Sequence, residues 1–439
     1  MDDTPPISRR EFVATSTVAA ATIGVSATAE ATPAESLAIQ GGKKAVTEVV
    51  PAWERWGEPE AERLDDLLKQ SSLFYWNGPQ TKAFIERFQQ HCPSTHVQTC
   101  SSGTAALHIA VAAANIAPGD EVITSPITDI GTVIGVLFQQ AVPVFADVEP
   151  DTYNLDPDDV ARKITPRTKA IIPVHLAGNP CDMKRLMALA EEHNLVVIED
   201  CAQAWGARYR GKPVGTMGHA CCFSMMNSKH VTTGDGGVVA SSDGELGRLL
   251  QRFGDKGTDR VDRTPVQWLA SNYRMSEAQA AIGAAQLERL EAIAARRNQL
   301  GRLLTQGIRG LPGITPHRED ETDRSTYWFY MFRIQPDKFR VDRAQLVKAM
   351  RAEGTGASEG YIRRPLYGEQ MFQDHSFFAG EWPIHEAGLT KMNYRDVHCS
   401  EAEAALQTGI RLRLTENMTD KYVEQLAAGI RKVVDHYAA

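Results

Sequence analysis

Lys229 stands where lysines rarely do, between a short apolar run and a glycine-rich turn. The stretch reads Cys222-Phe223-Ser224-Met225-Met226-Asn227-Ser228-Lys229-His230-Val231-Thr232-Thr233-Gly234-Asp235-Gly236-Gly237. A lysine brought near a pocket can lose its proton and attack a carbonyl carbon, which is the requirement for a Schiff base. Ser224 brings a hydroxyl to the same turn.

Three other segments offer what such a lysine would need from pyridoxal phosphate (PLP). Ser101-Ser102-Gly103-Thr104-Ala105-Ala106-Leu107 joins a strand-like run to a helical one. Free N–H groups and the helix dipole at that start would hold a phosphate, though Ser-Gly-Thr is equally an ordinary helix cap. Asp200 closes the apolar run Leu195-Val196-Val197-Ile198-Glu199, on the rim where α/β sheets bind ligands. There it could pair with a protonated pyridine nitrogen and make the ring an electron sink, or simply cap the next helix. Burial alone would raise its pKa, and a cationic partner would restore the charged form. Gln203 follows one turn later, placed for a ring substituent or for the helix surface. Ser271-Asn272-Tyr273-Arg274-Met275-Ser276 precedes an alanine-rich helical stretch that Ser276 would cap.

The elements that must position these groups are legible as alternation. Short apolar runs recur at 97–100, 121–125, 142–147, 170–175, 195–199, 220–224 and 237–241. Several are rich in Val and Ile and apolar throughout, as in strands covered on both faces. Stretches such as 104–115 and 182–194 between them read as helices. This predicts an α/β domain of three α/β/α layers around a mainly parallel seven-stranded sheet. The pattern at 276–298 predicts one long helix. Composition shifts near Leu311-Pro312-Gly313. Beyond lie a strand-like run at 327–334, a helix at 343–353 behind Asp342 and a final helix at 419–437, a smaller α+β domain. The expected division is 1–31 signal or disordered lead, 32–57 arm, 58–310 large PLP-binding domain and 311–439 small C-terminal domain.

Net charge is −8 and no long basic block occurs, so nucleic-acid or membrane-surface binding is not indicated. The seven cysteines form no CxxC and no zinc-spaced cluster, and read as reduced structural thiols with no metal. At the N-terminus Ser8-Arg9-Arg10-Glu11-Phe12 precedes an uncharged stretch and A-x-A sites ending at Ala29 or Ala31. That order resembles a twin-arginine export signal, which carries folded proteins and predicts a periplasmic or exported enzyme. The stretch is too short and polar for a lasting membrane span.

Taken in order, Ser-Gly-Thr-Ala-Ala-Leu, Pro-Val-Phe-Ala-Asp-Val, Pro-Val-His-Leu-Ala-Gly, Ile-Glu-Asp-Cys-Ala-Gln-Ala, Phe-Ser…Lys…Thr-Thr-Gly-Asp-Gly-Gly and Asn-Tyr-Arg-Met-Ser-Glu resemble the DegT/StrS family of PLP-dependent sugar aminotransferases. The resemblance runs from about Gly41 to the C-terminus and implies the fold type I architecture. It implies Lys229 as the Schiff-base lysine, Asp200 at the pyridine nitrogen and Gln203 beside the ring. Ser102, Gly103, Thr104 and Ser224 would surround the phosphate. Asn272 would serve the neighbouring subunit's phosphate site, so a homodimer with shared active sites is implied.

The chain departs from the family at Asp129, in Ser125-Pro126-Ile127-Thr128-Asp129-Ile130-Gly131-Thr132. An aromatic residue usually stacks on the cofactor from that place, and a carboxylate cannot. Asp235 also replaces a glutamate. The expected reaction is transamination, moving an amino group from Glu or Gln to a keto group by ping-pong kinetics through an internal aldimine on Lys229. Gly41-Gly42-Lys43-Lys44 and Trp53 with Trp56-Gly57 resemble the branch acting on keto-inositols. With an export signal, that favours a free ketosugar or inosose over a nucleotide sugar. Two alternatives stand: a PLP-dependent sugar dehydratase, whose relatives carry histidine in place of the lysine, and a non-enzymatic PLP-binding sensor or decayed paralogue. Arg363, His175 and Trp76 read more readily as surface or packing residues than as substrate contacts.

Overall fold

The computed structural model describes residues 36–439. The export-signal expectation on 1–31 lies outside the described residues. Strands β1 (His96–Cys100), β2 (Glu121–Thr124), β3 (Val142–Phe145), β4 (Thr168–Ile172), β5 (Val196–Asp200), β6 (Ala220–Ser224) and β7 (Gly237–Ser241) form one sheet in the order β1-β7-β6-β5-β4-β2-β3. Only β7 runs antiparallel to its neighbours. All seven apolar runs are therefore strands of a single, mainly parallel sheet.

Period-two alternation explains why these runs are apolar throughout. Cys222 and Val239 face a cluster built on helix α1 (Gly103–Ala113). Cys221, Phe223, Val238 and Ala240 face the opposite cluster, against helix Pro79–His91. Each strand thus buries both faces between helical layers. Helix α2 (Gly131–Phe138) packs beside α1 and is apolar nearly all round. The expected helix at 182–194 forms as Met183–His193, capped by Asp182.

The single helix expected at 276–298 is instead two, α3 (Glu277–Leu287) and α4 (Leu290–Ile308). Between them the N–H groups of Glu288 and Arg289 bond three residues back, to Ala285 and Gln286. This tight turn sits where the side chains of Gln286 and Arg289 both bond Glu60 and the Arg55 carbonyl. That anchor involves residues far away in sequence, so alanine-rich periodicity did not reveal it.

A second, antiparallel sheet is made by β8 (Ile314–Thr315), β9 (Tyr330–Ile334), β10 (Ser358–Glu359) and β11 (Gly409–Leu412), ordered β8-β9-β11-β10. It packs on Leu300, Leu304 and Ile308 of α4 and on helix Asp420–Tyr437. The expected strand at 327–334 starts late because Tyr327 has φ +41°. The kink leaves the Trp328 N–H bonded to the Ala177 carbonyl rather than to a strand.

The arm crosses this second unit. Ala38 and Ala45 donate backbone N–H groups to the Glu353 carboxylate, and Trp53 donates Nε1–H to Glu416. All seven cysteines are buried and unpaired. Among the described residues no helix is long and apolar enough to cross a membrane.

Candidate active site

Lys229 follows β6 in a loop stitched down from several directions. Its N–H bonds the Met226 carbonyl, while Met225 pairs with Gly236 and Thr233. Arg55 reaches in from the arm and donates to the carbonyls of Asn227 and Lys229. The lysine is 6 % exposed, and its Nζ lies 3.5 Å from the centroid of the Trp328 ring. Burial lowers its pKa to about 8, against the raising effect of Asp200 and Asp129. An amine that gives up its proton near neutral pH is a nucleophile in waiting.

Asp200 ends β5 and is buried. Its Oδ1 accepts from the Ala202 N–H at 3.1 Å and its Oδ2 from the Thr132 hydroxyl at 2.8 Å. Burial raises its pKa, with these two donors and Lys229 pulling the other way. A further cation beside this carboxylate would restore its charged form, and a protonated ring nitrogen would supply one. Gln203 is equally buried and held at both ends. Its Oε1 accepts from the Ala177 N–H at 2.8 Å, and its Nε2 donates to the Tyr361 hydroxyl at 3.3 Å.

The phosphate end is a close approach of two elements. Ser102 caps α1, its hydroxyl accepting from the Ala105 N–H at 3.0 Å. A Cβ on Gly103 would come within 2.6 Å of the Ser224 Cβ, and one on Gly237 within 2.3 Å of the Ser102 carbonyl oxygen. Only glycines allow this cradle, which gathers the first-turn N–H groups of Gly103 and Thr104 with the Ser224 hydroxyl. Thr104 Oγ1 lies beside Gly131, at the start of α2. The residues present suit PLP at both its charged ends.

Asn272 is set apart. It is exposed, and its Oδ1 accepts from the backbone and side chain of Arg274. Among the described residues its side chain makes no hydrogen bond to the Lys229 group. Asp129 is exposed too, its Oδ1 accepting from the Gly131 N–H at 2.8 Å. The aromatic faces at this site come instead from Trp328 and Tyr361, whose rings meet edge-on at 5.9 Å.

Sequence reasoning missed Thr132, Trp328 and Arg55 as members of this site, and singled out Arg363 rather than Tyr361 from the loop they share. Thr132 lay inside the segment read only for Asp129, and a hydroxyl's partner across the sheet leaves no local signal. His175, set aside earlier, is a packing residue. Its Nδ1 accepts from the Cys181 N–H, and its Nε2 faces Glu199 at 3.1 Å. Glu199 also takes N–H bonds from Gly215, Met217 and Gly218. In the grouping of His175, Glu199 and Cys201, the ring and carboxylate atoms of the first two are thus taken up by hydrogen bonds within the fold. His230 is buried, bonds the Thr326 carbonyl at 2.9 Å and has its pKa lowered by burial. Arg363 is exposed.

Residues 55–431 match the DegT/DnrJ/EryC1/StrS aminotransferase family. The chain is 36% identical over 428 residues to L-glutamine:2-deoxy-scyllo-inosose aminotransferase of Streptomyces lividus, covering 92% of this chain and 99% of that one. It is 40% identical over 272 residues to GDP-perosamine synthase of Caulobacter vibrioides, covering 62% and 73%. Among solved structures, an aminotransferase from Psychrobacter cryohalolentis superposes with a TM-score of 0.79 at 28% identity, covering 89% of this chain and 100% of that one.

Proposed function

We propose, on the premise that this chain belongs to the DegT/DnrJ/EryC1/StrS aminotransferase family, that it moves an amino group from glutamate or glutamine to the keto group of a cyclitol or free ketosugar. The chain is a PLP-dependent sugar aminotransferase of fold type I. The observation that carries the aminotransferase reading is a buried lysine, its Nζ resting 3.5 Å from the centroid of the Trp328 ring, in one site with the buried Asp200 carboxylate at the rim of the sheet.

When bound, PLP supplies an aldehyde for amines and a ring that takes up the electron pair left when a Cα proton departs. The first-turn N–H groups of Gly103 and Thr104, the Ser102 cap and the Ser224 hydroxyl would hold its phosphate. Asp200, steadied by Thr132 and the Ala202 N–H, would keep the ring nitrogen protonated. Gln203, fixed by Ala177 and Tyr361, would set the ring's tilt. Lys229 would hold the aldehyde at rest, then carry the proton from the donor Cα to the cofactor C4′ as general base and acid. Trp328 and Tyr361 would keep water from that transfer. Two half-reactions sharing one lysine give ping-pong kinetics.

Support for a cyclitol and for a glutamine or glutamate donor comes from the inosose aminotransferase relative and from the arm motifs. We also propose a homodimer in which Asn272 serves the partner's phosphate site, and export by the twin-arginine route, supported by the ordered Arg9-Arg10 and Phe12 pattern. Fractionation of cells expressing the full chain, against an Arg9→Lys/Arg10→Lys variant, tests the export. Retention of both forms in the cytoplasm removes that part of the reading.

The function is tested by screening inososes and ketosugars with the PLP-loaded enzyme and glutamine or glutamate. Product amine from at least one keto-cyclitol is expected, with all turnover lost in Lys229→Ala. Failure to aminate any of them with either donor would sink it.

A further inference from the structure

Next to the Lys229 loop, bounded by Ser228 and Trp328, lies a cavity of about 400 Å³ with an unusual wall. Arg297, Arg351, Arg411 and Arg413 line it, together with Trp53, Trp328 and the hydroxyls of Ser358 and Thr415. The elements that bring them together are the arm, α4, the kink before β9, helix Arg343–Ala352, β10, and β11 with the segment that follows it. Of the four guanidinium groups, only Arg297 has a carboxylate partner among the described residues. That partner is Glu416, 2.7 Å from the Arg297 Nε and also bonded to Trp53 Nε1. Arg351 donates to the Ala357 carbonyl and Arg411 to the Ser358 hydroxyl. Arg413 lies 4.9 Å over the Trp53 ring, a face rather than a counter-ion.

Arg297 is the telling residue. It is 1 % exposed, yet its Nη2 has no hydrogen-bond partner and its Nη1 reaches only the Tyr327 carbonyl, at 3.4 Å. A buried, unpaired guanidinium donor is costly unless something fills the place opposite it. The arginines also repel one another. Burial first, and then the charges of Arg297 and Arg413, hold Arg55 down near 10 against the pull of Glu416. Such a cluster, with one carboxylate for four cations, is built for an oxyanion with planar or tetrahedral oxygens.

We propose that this cavity binds a phosphate or carboxylate group of a substrate. The inference rests on the aminotransferase reading for its role, because Trp328 forms both the cavity wall and the surface on which the Lys229 amine rests. The group enters with one of two molecules, as a phosphate on the keto substrate or as a carboxylate of the amino donor.

The PLP-loaded enzyme, titrated calorimetrically with inorganic phosphate, is expected to show one saturable site per chain. Arg413→Gln and Arg411→Gln, both on the cavity wall rather than in the core, should weaken it about tenfold or more. The glutamate half-reaction, followed by the cofactor's absorbance, separates the two sources. A rise of about tenfold in the KM for glutamate in these variants assigns the donor carboxylate. Phosphate binding lost with that KM unchanged assigns a phosphate-bearing keto substrate. No saturable phosphate binding, or binding indifferent to both substitutions, overturns the proposal. Lys229→Ala keeps the outcomes apart from the parent reading. If that reading fails but the cavity is real, the variant still binds phosphate in an Arg413-dependent way.

Discussion

In the cofactor-free protein the Lys229 amine is a buried group whose charge is tuned by two carboxylates. Its folded pKa, about 8, lies below its ordinary value of 10.5. The folded state therefore bears the full cost of a buried ammonium below about pH 8. Stability recovers as pH rises from 8 to 10.5, where the folded chain sheds the proton that the unfolded chain still holds. The same titration governs capture of PLP, because only the free amine attacks the aldehyde. The capture rate in stopped-flow mixing should climb through pH 8 and then level off. Asp129 is one of the charges raising this pKa. Asp129→Asn keeps an acceptor for the Gly131 N–H but removes the charge, so the midpoint should move to lower pH. A midpoint that stays put or rises would show that Asp129 does not act on the lysine. Thr132 makes a parallel case at the other carboxylate. Thr132→Val removes the donor to Asp200 Oδ2 and leaves only the Ala202 N–H on Oδ1, and an unsatisfied buried acceptor typically costs about 1–3 kcal/mol. The PLP Kd should rise about tenfold, with Thr132→Ser restoring it. Lys229, Asp200 and Gln203 were legible because each closes or follows an apolar run. Thr132 and Trp328 were not, since their partners are brought to them by the sheet and by the kink at Tyr327.

The elements matter chiefly through how tightly their ends meet. The start of α1 and the end of β6 approach until only a glycine fits, with 2.6 Å left for a Cβ at Gly103. Gly103→Ala should push the helix start off Ser224, at about 1–3 kcal/mol of strain. Thermal melts should show a lower Tm, and PLP affinity should fall further than stability alone explains. Gly244→Ala, at a helix start with open space around its Cβ position, is the matched control and should be near neutral. Equal effects at the two positions would mean that the close approach is not what holds the phosphate end. The strands were readable because burial on both faces forces apolar runs. The break between α3 and α4 was not, because its cause is a pair of side chains reaching Glu60 and Arg55, far away along the chain.

At the scale of the molecule, the open question is whether one chain makes a complete site. The Lys229 group is assembled within the chain, whereas Asn272 is exposed and bonded to Arg274, away from that group. The segment carrying it is tied to β1 by the bridge between Cys100 and Arg274 and to Asp255 by its own backbone pairing. An asparagine held firmly at the surface by its neighbours is well placed to reach another copy. Two-fold symmetry would then give each site the lysine of one chain and the asparagine of the other. In such a dimer, Lys229→Ala and Asn272→Asp should each inactivate every site when the dimer is pure. In a hybrid, one site collects both lesions and the other collects neither. Unfolding, mixing in equal amounts and refolding the two inactive variants should therefore return about a quarter of the wild-type activity, since half the dimers are hybrids with one intact site each. If Asn272 acts within its own chain, every site in the mixture keeps one lesion and no activity returns. That outcome would reduce the dimer to a packing arrangement and leave the catalytic unit as the single chain.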